Sequence, residues 1–152
     1  MRFRPAALSA VSAALPAAVL AAALVAGCSS GISLDEPIEG PVWHLDQLGG
    51  QTVARGSDPR RDPQLQFDGG NNRVVGSGGC NQVSGSFVRN GSSLRLSQLA
   101  ATRMACADPA VQSTEGQFFA ALQTTASYRL QGPGRLYLLD AGGNTIASFS
   151  SR

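Results

Sequence analysis

Hydrophobic and polar residues alternate in short segments over most of the chain beyond residue 40, a pattern typical of half-buried β-strands. The first predicted strand covers Val42–Leu48 and ends at a Gly-Gly pair. A tight hairpin is predicted at Asn90-Gly91, because both residues tolerate positive φ. The other strand-like segments are 51–54, 63–68, 73–79, 81–90, 92–99, 127–131, 135–140 and 145–150.

One segment has helical rather than strand periodicity. Apolar residues including Phe118 and Leu122 form a stripe at helical spacing, which predicts a helix from about Pro109 to Thr124. Asp108 suits the N-cap, and proline suits the first helical position. Gly116 costs this helix about 1 kcal/mol relative to alanine, so packing must hold the helix in place.

The predicted fold class is therefore mainly β with one α-helix. About eight short antiparallel strands joined by tight turns commonly close into a small barrel or a strongly curled sheet, since closure removes exposed strand edges. No internal repeat is evident.

The N-terminal segment differs from the rest of the chain and indicates export. Residues 1–27 combine two arginines with a long uncharged apolar run, as in a secretory signal peptide. The stretch Val25–Cys28 resembles a bacterial lipobox, which implies cleavage before Cys28 and acylation of its thiol. An ordinary signal peptide or a transmembrane anchor are the alternatives, but Pro16 and the small residues before Cys28 favour processing. Residues 28–40 then read as a polar tether and residues 41–152 as the domain.

Processing also changes the charge of the chain. Removing Arg2 and Arg4 from the 12 basic residues leaves 10, against 10 acidic residues, so the mature chain is about neutral. A neutral domain without lysine or a basic run lacks the positive surface that nucleic-acid binding needs. The sequence therefore predicts no nucleic-acid partner.

Two cysteines remain once Cys28 is acylated. Export would place Cys80 and Cys106 in an oxidising compartment, where such a pair usually forms a disulfide, with a stabilisation of roughly 3 to 4 kcal/mol. A zinc site or a nucleophilic cysteine would depend on His44, the only histidine. A pair of free thiols is the remaining alternative. We predict no metal and no cofactor.

The order of motifs resembles the META domain family over roughly Pro41 to Ser150. The motifs are W-x-L at Trp43–Leu45, LQF at Leu65–Phe67, V-x-G-x-G-G-C-N at Val74–Asn81, G-x-F at Gly85–Phe87, LAATRMAC at Leu99–Cys106 and E-x-x-F-x-x-L at Glu115–Leu122. The resemblance implies a small β-barrel-like domain of lipocalin-like topology with one helix against it. It also implies a relation to HslJ-type heat-inducible lipoproteins, which are associated with novobiocin tolerance, and it makes the two motif cysteines neighbours in the fold.

Four motif residues are candidates for a structural or functional role. Gly79 is expected to let the backbone pass close to a partner strand, and Asn81 to form local hydrogen bonds or adopt left-handed φ. Thr102 and Arg103 precede the helix, and Arg103 is positioned in sequence to bind loop carbonyls or a carboxylate such as that of Glu115. A structural role is the simpler reading for each of them.

The chain carries little that indicates catalysis. It has one histidine and three glutamates, with no G-x-S-x-G motif, phosphate-binding loop or suggestively spaced carboxylate pair. We therefore predict a non-enzymatic cell-envelope lipoprotein, anchored in the membrane through Cys28, that binds an unknown envelope protein during stress. A carrier of a small apolar ligand is the alternative, which rests on fold analogy alone. Ser29 after the acylated cysteine suggests the outer membrane, facing the periplasm, if the host has two membranes.

Overall fold

The computed structural model describes residues 37–56 and 58–151, and the predicted signal peptide and Cys28 lie outside this part of the chain. Within the described residues the chain forms nine β-strands and one α-helix. The strands are Val42–Leu48 (β1), Gln51–Thr52 (β2), Gln64–Asp68 (β3), Arg73–Ser77 (β4), Gln82–Asn90 (β5), Ser93–Ala101 (β6), Ser127–Leu130 (β7), Arg135–Leu139 (β8) and Thr145–Ser151 (β9), and the helix is Pro109–Thr124 (α1).

The strands form a single antiparallel sheet that closes into a ring. From β3 to β9 each strand pairs with the next strand along the chain, and β1 pairs with both β3 and β9. The link between β6 and β7 is the shortest, a single pair at Ser93 and Ser127. The helix packs against β1, β6 and β9. The predicted fold class, mainly β with one helix, is confirmed.

Side chains from the strands and the helix fill the core. Phe67 of β3 and Phe87 of β5 meet edge to face, with ring centroids 5.2 Å apart. Phe118 of α1 meets Phe149 of β9 at 6.1 Å, so the helix is held by aromatic packing. Leu122 lies one turn beyond Phe118 and is also fully buried. This packing supplies the support that the helix needs, because a single turn of apolar contact outweighs the cost of one helical glycine.

The helix begins and ends where its sequence predicts. The Asp108 carboxylate accepts a hydrogen bond of 2.8 Å from the backbone N–H of Ala110, which identifies it as the N-cap. Pro109 occupies the first helical turn. At the other end, the Thr125 hydroxyl donates to the carbonyl of Ala121.

The domain starts earlier than the sequence suggests. Ile38, which lies in the segment predicted as a tether, is completely buried in the core, and its carbonyl accepts a 2.7 Å hydrogen bond from the Trp43 indole N–H. Glu39 next to it forms an ion pair of 3.1 Å with Arg89. Ile38 and Glu39 therefore pack with the domain although the sequence predicts a tether there, and residues 28–36 of that predicted tether lie outside the described part of the chain.

The hairpin between β5 and β6 is also shifted by one residue. Asn90 pairs with Ser93 as the last rung, so the two turn residues are Gly91 and Ser92, and Gly91 has φ +55°. A tight turn was correctly predicted, but Asn90 belongs to the strand. Within the described residues, no helix is long and apolar enough to span a membrane.

Candidate functional site

Three of the sequence motifs, those that contain Cys80, Cys106 and Glu115, meet where the segment between β4 and β5 contacts α1 and the loop between β6 and α1. A disulfide joins Cys80 of the first segment to Cys106 of the second, with the two Cα atoms 5.9 Å apart. Both cysteines are half-buried. The disulfide therefore joins the residues just before α1 to the residues just before β5, across a sequence separation of 26 residues.

A carboxylate from the helix anchors the same place. Glu115 Oε2 accepts hydrogen bonds from the backbone N–H groups of Asn81, at 2.6 Å, and Cys80, at 3.2 Å. Its other oxygen, Oε1, accepts from the Asn81 side-chain amide at 2.6 Å. A charged acceptor makes stronger hydrogen bonds than a neutral one, so this single side chain fixes the backbone at the disulfide.

The buried side-chain amide of Asn81 links Glu115 to the loop between β6 and α1. Its Oδ1 atom accepts hydrogen bonds from the Thr102 hydroxyl at 2.9 Å and from the Met104 backbone N–H at 2.7 Å. Thr102 in turn accepts a bond of 3.0 Å from the backbone N–H of Gln82. Every polar atom of the Asn81 amide therefore has a partner, which explains why asparagine is found here.

Glycine is favoured at three positions before Cys80, for a different reason at each. A Cβ atom at Gly76 would collide with the backbone carbonyl of Gln64 on the partner strand, and one at Gly78 would lie 2.5 Å from Glu115 Cγ. Gly79 has φ +112°, a conformation that other residues rarely adopt. The close strand approach that was predicted for Gly79 thus belongs to Gly76.

The sequence offers the Glu115 carboxylate as one possible partner of Arg103, but the two residues do not pair in the structure. The Glu115 carboxylate is already occupied by Asn81 and the backbone, and among the described residues no carboxylate lies within 4.0 Å of the Arg103 guanidinium. Arg103 is exposed instead, and so is Met104, with 59% of its surface accessible. The loop therefore has a fixed backbone and outward-facing side chains.

The cluster also contains the only group of potential metal ligands found within residues 37–56 and 58–151. One atom from each of Cys80, Cys106 and Glu115 lies within 4.8 Å of the others, and His44 is not part of the group. As a disulfide the two sulfurs are not the thiolates that bind zinc, and the carboxylate already accepts three hydrogen bonds. The geometry is that of a structural clamp.

A second polar group secures the residues before β1. Arg89 Nε donates to Glu39 Oε1, and Arg89 Nη1 donates to the Tyr128 hydroxyl at 3.1 Å. The hydrogen bond to Tyr128, followed by the nearby negative charge of Glu39, raises the pKa of Arg89 above its ordinary value. These contacts link the residues before β1 to β5 and β7, and no motif in the sequence indicates them.

Comparisons with known proteins show the family through a family model and the fold through solved structures. The family model for the META domain matches residues 36–152. A protein from Burkholderia xenovorans solved by NMR is 26% identical, with a TM-score of 0.58, and the match covers 76% of this chain and 83% of that chain. A second NMR structure is 24% identical with the same TM-score, covering 74% and 90%.

A crystal structure of a DUF4847 family protein from Bacteroides vulgatus is 16% identical, with a TM-score of 0.54, and the match covers 74% of this chain and 93% of that one. No curated protein matches this chain. The family model spans all of the described residues, including the clamp formed by Cys80, Cys106, Asn81 and Glu115. The chain belongs to the META domain family.

Proposed function

We propose that this protein is a lipid-anchored component of the cell envelope that acts by binding a partner protein and not by catalysis. The observation that carries the proposal is the loop of residues 102–107. Its backbone is fixed by the disulfide and by Asn81, while the Arg103 and Met104 side chains are exposed.

A fixed loop is suited to recognition because little backbone freedom is lost when a partner binds. Arginine and methionine are both enriched at protein interfaces, arginine through directed hydrogen bonds and methionine through adaptable apolar contact. The polar atoms of the neighbouring Asn81 and Glu115 are used internally, so they are poorly placed to act on a substrate. These features favour display of a binding surface over chemistry.

The anchor is inferred from the N-terminal sequence. The lipobox-like Val25–Cys28 segment supports acylation at Cys28, and two or three acyl chains at about 0.8 kcal/mol per buried methylene would hold the protein durably in a membrane. Ser29 supports the outer membrane, facing the periplasm, in a host with two membranes. A role in envelope stress or novobiocin tolerance is supported only by the resemblance to HslJ-type lipoproteins.

We favour partner binding over carriage of a small apolar ligand. Large side chains occupy the interior of the ring, and several of them have almost no accessible surface, including Phe67, Phe118, Phe149, Leu136 and Leu138. A carrier needs an apolar cavity, as in lipocalins, whereas small rings of strands are usually filled by their own side chains.

The binding surface can be tested with a photo-crosslinking residue in living cells. We expect a defined crosslinked product with the probe at position 104 and none with the probe at position 88, because Val88 is similarly exposed but lies on β5. Asn81→Ala should weaken the product from position 104 by loosening the loop. Equal products from both positions, or none from position 104 under heat or novobiocin stress, would refute the proposal.

The anchor needs a separate experiment. Cells fed a labelled fatty acid should incorporate the label into the wild-type chain and not into a Cys28→Ser variant, and the variant should leave the membrane fraction. A wild-type protein that is exported without label would contradict the anchor but leave the loop experiment valid.

A further inference from the structure

A groove of about 380 Å³ runs along the outer face of the sheet, over strand β9. It forms because β9 presents two serines outward, Ser148 and Ser150, between strands with larger side chains. Ser148 pairs with Gln47 of β1 on one side and with Tyr137 of β8 on the other, and Ser150 pairs with Arg135. The two serines are therefore the floor of the groove, and the neighbouring strands supply its walls.

The β1 wall is a fixed polar group. A bulge in β1 places Asp46 beside β9, and Asp46 Oδ1 accepts hydrogen bonds from Arg55 and from the Ser150 hydroxyl at 3.2 Å. Arg55 Nη2 also donates to Ser150 at 2.8 Å. The negative charge of Asp46 is thus balanced by Arg55, and its side chain is held in position.

The β8 wall carries positive charge that no carboxylate of the described residues pairs with. Arg135 is exposed, and no carboxylate of the described residues lies within 4.0 Å of it. The Arg129 guanidinium lies over the ring of Tyr137, 4.9 Å from its centroid. Among the described residues, Asp46 is paired with Arg55, and Arg135 in the lining and Arg129 beside Tyr137 add positive charge, so the field of the groove favours an anion.

We propose that this groove binds an acidic carbohydrate, a hydroxyl-rich chain that carries carboxylates. The Gln47 amide and the Ser148 hydroxyl at the floor of the groove can exchange hydrogen bonds with sugar hydroxyls, whereas the Ser150 hydroxyl is already bonded to Asp46 and Arg55. Arg135 pairs with the carboxylate, since a guanidinium matches the two oxygens of that group. The groove involves β1, β8 and β9, whereas the proposed protein-binding loop follows β6.

The experiment uses NMR titration of the full chain carrying Cys28→Ser, so that no lipid is attached. Three probes separate the possible sources: a tetramer of galacturonic acid, the disaccharide of N-acetylglucosamine and N-acetylmuramic acid, and neutral chitotetraose. We expect at least one acidic probe, at millimolar concentration, to shift amide signals of Gln47, Tyr137 and Ser148. Binding should weaken with added salt, because the contact is exposed and ionic.

Arg135→Ala should weaken that binding about tenfold, the loss expected for a hydrogen bond to a charged group. Arg95→Ala is the matched control, since Arg95 is an exposed arginine on β6, and it should leave the affinity unchanged. Binding of only one acidic probe would identify the source as cell-wall glycan or uronic-acid polysaccharide. The proposal fails if neither acidic probe binds, if chitotetraose binds equally well, or if both variants lose affinity equally.

Discussion

Replacing Glu115 by glutamine tests whether the charged clamp holds the disulfide region. The two side chains have nearly the same shape, so the change removes the charge and one acceptor without creating a cavity. In the wild-type protein the carboxylate accepts three hydrogen bonds, two from backbone N–H groups and one from the Asn81 amide. Glutamine has one oxygen and one NH₂ group in place of two oxygens.

No orientation of the glutamine satisfies all of these donors. If its oxygen faces the backbone N–H groups, its NH₂ group faces the NH₂ group of Asn81. Rotating the Asn81 amide does not help, because its oxygen would then leave the Met104 N–H and the Thr102 hydroxyl. In each orientation a donor faces another donor, and reorienting one side chain only moves this mismatch to the next residue.

The expected loss follows from these contacts. Hydrogen bonds to charged groups contribute about 1.5 to 3 kcal/mol and neutral ones about 0.5 to 1.5 kcal/mol, and an unsatisfied buried donor costs about 1 to 3 kcal/mol. Because Glu115 is half-buried, we expect Glu115→Gln to lower the free energy of unfolding by about 2 to 4 kcal/mol. Urea unfolding of the oxidised protein should show a lower midpoint at unchanged slope.

The matched control is Asp58→Asn, which removes one carboxylate from an exposed ion pair with Arg61. Surface pairs of this kind contribute about 0 to 1 kcal/mol, so the midpoint should hardly move. If Glu115→Gln is as stable as this control, the three hydrogen bonds do not act as argued. A changed slope would instead indicate an altered unfolded state, and hydrogen exchange of the Asn81 amide would then decide the question.

Three further results are expected. The double variant Cys80→Ser/Cys106→Ser should lose about 3.5 kcal/mol of stability in chemical unfolding, the chain-entropy value for a separation of 26 residues, and an unchanged midpoint would contradict it. Gly116→Ala should raise the unfolding temperature, with a gain of about 0.5 to 1 kcal/mol, because the added methyl group meets no atom within 4 Å; a lower temperature would refute this. Hydrogen bonds from the side-chain amide of Asn144, and then from its backbone N–H, lower the pKa of Asp140. The stabilisation of the fold by these bonds is therefore fully present above the ordinary pKa of 3.8 and is lost as the pH falls through the lower pKa of the folded protein. An NMR titration midpoint of Asp140 at or above 3.8 would count against this prediction.

Much of the secondary structure was predictable because its signals are local. The helix bounds follow from Asp108, Pro109 and the apolar stripe that includes Phe118, all within a few turns of one another. Strand periodicity located the longer strands for the same reason. The turn at Gly91 was misplaced by one residue because Asn90 is compatible with both a turn and a strand end, and only the pairing of β5 with β6 decides between them.

The candidate site was predicted less completely. The sequence indicated Cys80, Cys106, Asn81 and Thr102, which the structure brings together. It considered Glu115 only as one alternative partner of Arg103, next to loop carbonyls, and did not indicate the bonds of Glu115 to Asn81 and Cys80. A carboxylate near an arginine in sequence suggests an ion pair, yet Asn81 and two backbone N–H groups lie closer in space. The acylation predicted at Cys28 lies outside the described residues and stays a prediction.

The sequence by itself determined the family, the fold class and the place of the helix, since motif order, periodicity and capping are read along neighbouring residues. Only the tertiary structure decided which distant atoms meet. The bond between Asn81 and Glu115 joins residues 34 apart, and the one between Arg55 and Ser150 joins residues 95 apart. The physical reason is that these contacts form only when all the strands have paired into the ring. The pattern of neighbouring residues carries no information about the distance between atoms that are far apart in sequence.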